Sequence, residues 1–121
     1  MSRSVWLIRF AALFTFLFSL LALWAFLTPI NALPPAPDIS DFIWHVAIFV
    51  VLVVPLASTL PNHGNKIAFA AVIFGTGIEI AQPYFGRGFE VGDLLANMIG
   101  SGTGWYCARW LRAVFRRHAY K

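Results

Sequence analysis

The sequence predicts an all-α membrane protein with four transmembrane helices and both termini in the cytoplasm. Of its 121 residues, 60% are hydrophobic and 12% are charged, whereas soluble domains average roughly 25% charged residues. The hydrophobic residues form four runs, each close to the ~20 residues that a helix needs to cross the hydrocarbon core. Because the bilayer interior offers no water to the backbone, helices are the expected structure. The length fits a single domain.

The four runs are separated by segments that favour turns. The predicted helices cover residues 5–27, 42–60, 67–85 and 94–111. A proline-rich link follows the first helix, with prolines at positions 29, 34, 35 and 37. A Pro-Asn-His-Gly-Asn turn follows the second, and a glycine-rich link follows the third.

The first run also has features of a secretory signal peptide. Arg3 and Arg9 flank the start of its apolar stretch, and Asn31-Ala32 lies where cleavage would occur. However, the stretch is longer than the roughly 7–15 apolar residues of signal peptides, and Ile30 is a poor cleavage position. We therefore expect this run to be kept as the first transmembrane helix.

The basic residues predict the orientation. Eight of the nine Lys and Arg residues lie near the N-terminus, after the second run or at the C-terminus, and Arg87 is the ninth. By the positive-inside rule, the side with eight basic residues is cytoplasmic. Because these charges lie at helix ends, we expect no nucleic-acid binding. Cys107 is the only cysteine, which excludes an internal disulfide.

Polar residues gather near the outer ends of the last three predicted helices. They are Asp41, His45, Glu79, Gln82, Asp93 and Asn97. At 1.5 Å per residue, Glu79 lies about 9 Å inside the end of its helix, and His45 and Asn97 lie about 6 Å inside theirs. Ionisable groups at membrane depth are costly and are usually kept for a function. We therefore predict a polar site that faces outward, with Glu79 at its centre.

Helical spacing places these residues on shared faces. The two stripes are Gly75, Glu79 and Gln82 on the third helix, and Asp93, Asn97, Gly100 and Gly104 on the fourth. Because small residues let helices approach closely, we predict that the third and fourth helices pack through these faces. Asp41 and His45 are expected to add a third wall. Arg87 is expected to fold over the site, or to form a structural ion pair with Glu79 or Asp93.

In this order, the polar residues resemble the VanZ-like family of small bacterial membrane proteins. The family pattern is Asp-Lys-x-x-His, then Gly-x-x-x-Glu-x-x-Gln, an Arg, and Asp-x-x-x-Asn-x-x-Gly. The resemblance covers about residues 41–104 and departs at Phe42, where the family usually carries Lys. It implies a multi-pass protein of the bacterial inner membrane. The family is named for a protein that confers low-level resistance to teicoplanin.

The favoured function is binding of an envelope ligand at the outward site. The expected ligands are a lipid head group, a lipid-linked precursor or a glycopeptide, and the expected contacts are Asp41, His45, Glu79, Gln82, Arg87, Asp93 and Asn97. Acidic groups outnumber Arg87 on that side, so a phosphate would need a divalent cation at the carboxylates, and no other cofactor is expected. Membrane lipids are expected partners, and the chain leaves open a homo-oligomer.

Three other functions fit the same residues. An intramembrane enzyme acting on an envelope lipid would use Glu79 or His45 as general base, but the polar stripes hold no serine or cysteine as nucleophile. A proton-coupled transporter would use Glu79 as its proton carrier, but the polar residues stop in the outer leaflet. A purely structural protein would use the polar stripes only to join helices.

Overall fold

The computed structural model describes residues 3–34 and 40–119, and the regular elements in these ranges are all helical. The α-helices are α1 (Arg3–Leu27), α2 (Asp41–Thr59), α3 (Gly64–Ala81) and α4 (Val91–Ala119). Short 3₁₀ segments occupy Ile30–Ala32, Pro61–His63 and Gln82–Phe85. The all-α class is confirmed. Part of the predicted proline-rich link, Pro35 and Pro37, and the basic Lys121 lie outside the described residues.

Local chemistry accounts for the helix boundaries. α1 ends just before Pro29, because the residue preceding a proline is disfavoured in the helical conformation. The Ser40 hydroxyl caps α2 by accepting the N–H of Ile43 at 3.4 Å. Gly86, with φ of 78°, adopts the left-handed conformation that ends the 3₁₀ extension of α3. α4 continues eight residues beyond its predicted end at 111, through a basic last turn whose charges suit a helix C-terminus.

The helices form an up-and-down bundle in which α2 contacts all three others, most extensively α4. Two glycines of α4 allow this close approach. A Cβ on Gly100 would lie 2.5 Å from the carbonyl oxygen of Val46, and one on Gly104 would lie 3.1 Å from that of Val50. The prediction that Gly100 and Gly104 line the α3–α4 contact is therefore wrong: the α4 glycines face α2.

Gly75 of α3 does face α4, as its stripe predicts. A Cβ on Gly75 would lie 2.8 Å from Nδ2 of Asn97 and 2.8 Å from the Phe49 ring of α2. The space left by the missing side chain is thus filled by one polar and one aromatic group. Gly75 lets α2, α3 and α4 meet around Asn97.

Three helical segments are long and apolar enough to cross a membrane: Ser4–Leu27, Asp41–Thr59 and Pro61–Phe85. α4 is not among them, although its 29 residues are ample for a crossing. Its polar residues Asp93, Asn97 and Ser101 lower its hydropathy, but all three are buried within the bundle. The outer side of α4 is apolar instead, with exposed Leu95, Met98, Ile99, Tyr106 and Trp110.

Candidate functional site

All four helices bring one end to the same pole of the bundle. The C-terminal ends of α1 and α3 meet the N-terminal ends of α2 and α4 there, because successive helices run in opposite directions. Most of the described basic side chains belong to the other pole, where α4 ends in Arg116 and Arg117 and α3 begins near Lys66. The polar residues of the predicted stripes therefore share one end of the molecule.

Four of the predicted site residues form a buried cluster at this pole: His45, Glu79, Asp93 and Asn97. Each has at most 5% of its surface exposed. Nδ1 of His45 lies 2.7 Å from Oδ1 of Asn97 and 3.8 Å from Oε1 of Glu79. Nε2 of His45 lies 3.5 Å from Oδ2 of Asp93. The imidazole is thus the central group, with a carboxylate facing each of its nitrogens.

Asn97 determines which nitrogen of His45 carries the proton. An amide oxygen only accepts hydrogen bonds, so Nδ1–H of His45 is the donor in the 2.7 Å contact. In the neutral ring, the lone pair is then on Nε2. This lone pair faces the Asp93 carboxylate, an arrangement that needs a cation or a proton between the two groups.

The cluster contains buried polar atoms without hydrogen-bond partners among the described residues. They are Nε2 of His45, both carboxylate oxygens of Glu79 and Nδ2 of Asn97, with Oε1 of Gln82 close by in the sequence. Buried charges are normally paired or bound to metal, because leaving them unpaired costs far more than leaving a neutral group unpaired. A bound ion, an added proton or a buried water is therefore needed to satisfy these atoms.

Arg87 forms no direct ion pair with the cluster. Its Nη1 donates to three backbone carbonyls at the end of α1, those of Ala25 at 3.1 Å, Phe26 at 3.2 Å and Thr28 at 3.5 Å. Across the described ranges, no ion pair joins Arg87 to either carboxylate of the cluster. The structural ion pair considered from the sequence is therefore not formed.

Gln82 also serves the end of α1. Its Nε2 donates to the Phe26 carbonyl at 3.0 Å, and the side chain is buried. The last four carbonyls of any helix lack partners within the helix, and here Pro29 prevents the chain from continuing it. Gln82 and Arg87 therefore fasten the loop after α3 to α1, a role that their sequence positions did not predict.

Phe26 is a site residue that sequence reasoning missed. Its ring stacks on the His45 imidazole, with centroids 4.1 Å apart and planes inclined by 22°. The side chain is 5% exposed. In the sequence Phe26 is one of many apolar residues of the first run, and its place just before Pro29 is the only signal that it lies at the site.

A cavity of about 540 Å³ adjoins the cluster. It is lined by Pro29, Asn31, Asp41, Gln82, Gly86, Arg87, Gly88, Glu90 and Asp93. Asp41 is exposed in the cavity wall, so the predicted third wall consists of His45 in the cluster and Asp41 outside it. Asp93 belongs to both, since it lines the cavity and contacts His45. The buried cluster thus meets the cavity at Asp93.

We expect Arg87→Met to destabilise the protein by about 1–3 kcal/mol, because it leaves helix-terminal carbonyls of α1 without their donor. Thermal unfolding of the purified protein in detergent would measure this. Arg109→Met is the control, since Arg109 is exposed and contacts only the Trp105 ring, at 5.9 Å, among the contacts described. Equal melting temperatures for the two variants would contradict a fastening role for Arg87.

Comparison with known proteins gives one family. The sequence model of the family described as VanZ/LLP1 matches residues 2–112. No curated protein and no solved structure matches the chain. The matched range extends beyond the resemblance at residues 41–104 and includes α1, which supplies Phe26 to the site.

Proposed function

This chain belongs to the VanZ/LLP1 family, and on that premise we propose that it binds the head group of an envelope lipid or lipid-linked precursor. The observation that carries the proposal is the polar cavity of about 540 Å³ at one pole of a bundle of apolar helices. Ligand pockets have volumes of roughly 300–1,000 Å³, so the cavity suits a head group. A glycopeptide is the larger alternative ligand.

The charges of the cavity favour a head group that carries an amine. Asp41, Glu90 and Asp93 line the cavity together with one cation, Arg87. The exposed carboxylates of Asp41 and Glu90 attract an ammonium group and repel an isolated phosphate. Arg87 has five N–H donors, and the contacts described engage only its Nη1. Its remaining donors are suited to the phosphate of a zwitterionic head group such as phosphoethanolamine.

Aromatic residues near the cavity support a location at head-group depth. Tyr84, Phe85 and Phe89 lie in the α3–α4 connection and are all exposed, Tyr84 to 86%. Aromatic side chains are enriched at the interface between the hydrocarbon core and water. We expect a connection with this composition to lie among the lipid head groups. Because residues of the same connection line the cavity, the cavity would lie at head-group depth as well.

We also propose that the chain crosses a bacterial inner membrane four times, with both termini in the cytoplasm. α4 runs beside α2, with its polar side inward and its apolar side outward, which is the pattern expected of a span within a membrane bundle. We expect a fluorescent protein fused to either terminus to fluoresce in the cytoplasm, and a cysteine at position 88 to react with an impermeant reagent from outside. Termini on opposite sides would contradict the topology.

A one-sided site is favoured over a transport path. Toward the other pole, the core beside the cluster is apolar and includes Phe49, Val53 and Ala57, all completely buried. A proton carried by Glu79 would meet no relay group among them. This supports binding from one face rather than proton-coupled transport.

Native mass spectrometry of gently extracted protein would test the lipid site. We expect wild type to retain phosphatidylethanolamine or a lipid-linked precursor, and the Asp41→Asn/Glu90→Gln double variant to retain much less. Both positions are exposed, so the variant should melt like wild type. Lys66→Gln, at the opposite pole, is the control and should keep the wild-type lipid. The same retained lipids in all three proteins would contradict the proposal, and retention of added teicoplanin alone would favour the glycopeptide.

A further inference from the structure

We propose that His45, Glu79 and Asp93 bind Zn²⁺ where the buried cluster meets the cavity, with Asn97 orienting the imidazole. One ligand atom from each of the three residues lies within 4.8 Å of the others. Binding of Zn²⁺ here does not require the proposed lipid ligand.

The spacing of the donor atoms fits a tetrahedral ion. Two ligand atoms bound at about 2.1 Å to tetrahedral zinc are separated by about 3.4 Å. Nε2 of His45 and Oδ2 of Asp93 are 3.5 Å apart. This separation is too long for a good hydrogen bond between the two groups, and it matches one edge of a zinc tetrahedron. The Glu79 carboxylate lies 3.8 Å from the other ring nitrogen, Nδ1. It therefore has to turn toward Nε2 to become the third ligand, and the 4.8 Å limit on the donor-atom separations leaves this within reach of a side-chain rotation.

The surroundings of the imidazole match those of a metal-bound histidine. Such histidines usually donate their second ring N–H to a carbonyl or carboxylate, which fixes the tautomer and the ring orientation. Here the Nδ1–H of His45 donates to Oδ1 of Asn97 at 2.7 Å, leaving Nε2 as the free donor atom. Phe26 stacks on the ring and restricts its rotation.

The electrostatics of the cluster call for a cation. Two carboxyl groups and an imidazole are buried together, and their nearest cation in the sequence, Arg87, is held by α1 carbonyls. Nε2 of His45 and both oxygens of Glu79 have no hydrogen-bond partner within the described structure. A protonated imidazole would pair with the two carboxylates only through the long contacts of 3.5 and 3.8 Å. A dication satisfies all three side chains at once.

The donor set selects zinc over the hard cations. Mg²⁺ and Ca²⁺ prefer sites made of oxygen ligands alone, whereas imidazole suits zinc and other transition metals. Three protein ligands leave the fourth position of tetrahedral zinc open. Because Asp93 lines the cavity, that position is accessible from it, to water or to an oxygen of a ligand.

Metal titration of the full-length protein would test the site. We would strip the detergent-purified protein with a chelator, titrate it with Zn²⁺ by calorimetry, and record the visible spectrum with Co²⁺. We expect one Zn²⁺ per chain, the intense absorption of tetrahedral Co²⁺, and no competition from excess Mg²⁺. His45→Gln, Glu79→Gln and Asp93→Asn should each weaken Zn²⁺ binding at least about 100-fold. Asn97→Ala should weaken it about 10–100-fold, because Asn97 acts on the ion only through its hydrogen bond to His45.

Matched variants distinguish Zn²⁺ binding at the cluster from nonspecific attraction of cations to any carboxylate. Asp41→Asn and Glu90→Gln remove cavity carboxylates outside the cluster and should leave Zn²⁺ affinity unchanged. Asp93→Asn keeps the side-chain shape, and circular dichroism and gel filtration would verify its fold. Wild-type protein that takes up no Zn²⁺ would overturn the inference. So would equal losses in the cluster and cavity variants, or displacement of Zn²⁺ by Mg²⁺.

Discussion

Gly100→Leu is expected to destabilise the protein by more than about 3 kcal/mol. This exceeds the usual cost of overpacking a core, because the new side chain would collide with the backbone of α2, which cannot move aside as a side chain can. A Cβ at this position would lie 2.5 Å from the Val46 carbonyl oxygen and 2.8 Å from Cβ of Phe49. Neither atom belongs to the flexible end of a side chain, so α4 would have to move away from α2. Thermal unfolding in detergent, followed by gel filtration, measures the loss.

Gly102→Leu is the matched control, with the same change two positions along α4. A Cβ on Gly102 would have no heavy atom within 4 Å in the described part of the chain, and the position is exposed. We expect the Gly102→Leu variant to have a melting temperature close to that of wild type. If both leucine variants melted alike, the α2–α4 contact would not depend on Gly100.

Phe26→Ala is expected to cost about 3–5 kcal/mol, the usual range for removing a buried aromatic side chain. The ring packs on His45 at 4.1 Å and on Phe49 at 6.3 Å between centroids. Its loss would leave a gap beside the cluster and free the imidazole to rotate. We therefore expect weaker ligand retention as well as a lower melting temperature.

Phe16→Ala provides the comparison on the same helix. Phe16 is 60% exposed on the outer side of α1, so its removal is expected to change stability by less than about 0.5 kcal/mol. A Phe26→Ala variant that melted like Phe16→Ala would show that α1 contributes little to the site.

The sequence predicts the helices well because crossing a membrane requires long apolar runs. Each predicted run coincides with one helix, and the helical spacing correctly indicates which residues share a face. It does not indicate which helix that face meets. Gly100 and Gly104 pack on α2 rather than α3 because the inward side of α4 points at the central helix.

The partners of Arg87 could not be predicted for a related reason. The sequence shows charged side chains, so a cation among carboxylates suggests an ion pair. Its actual acceptors are carbonyls at the end of α1, such as that of Phe26, and every residue has a carbonyl. Only the arrangement of the helices shows that these particular carbonyls lack partners and lie near Arg87.

The distribution of side chains on α4, with polar residues facing the bundle and apolar residues facing outward, has a consequence for how the protein enters the membrane. The segments that contain α1, α2 and α3 are long and apolar enough to cross a membrane, whereas α4 carries Asp93, Asn97 and Ser101 on one side. In the proposed topology α4 is synthesised last, when the helices that shelter this side are already in the bilayer. On that proposal, we expect α4 to insert only when it docks against α2, so a variant that breaks this contact should leave the helix incompletely inserted.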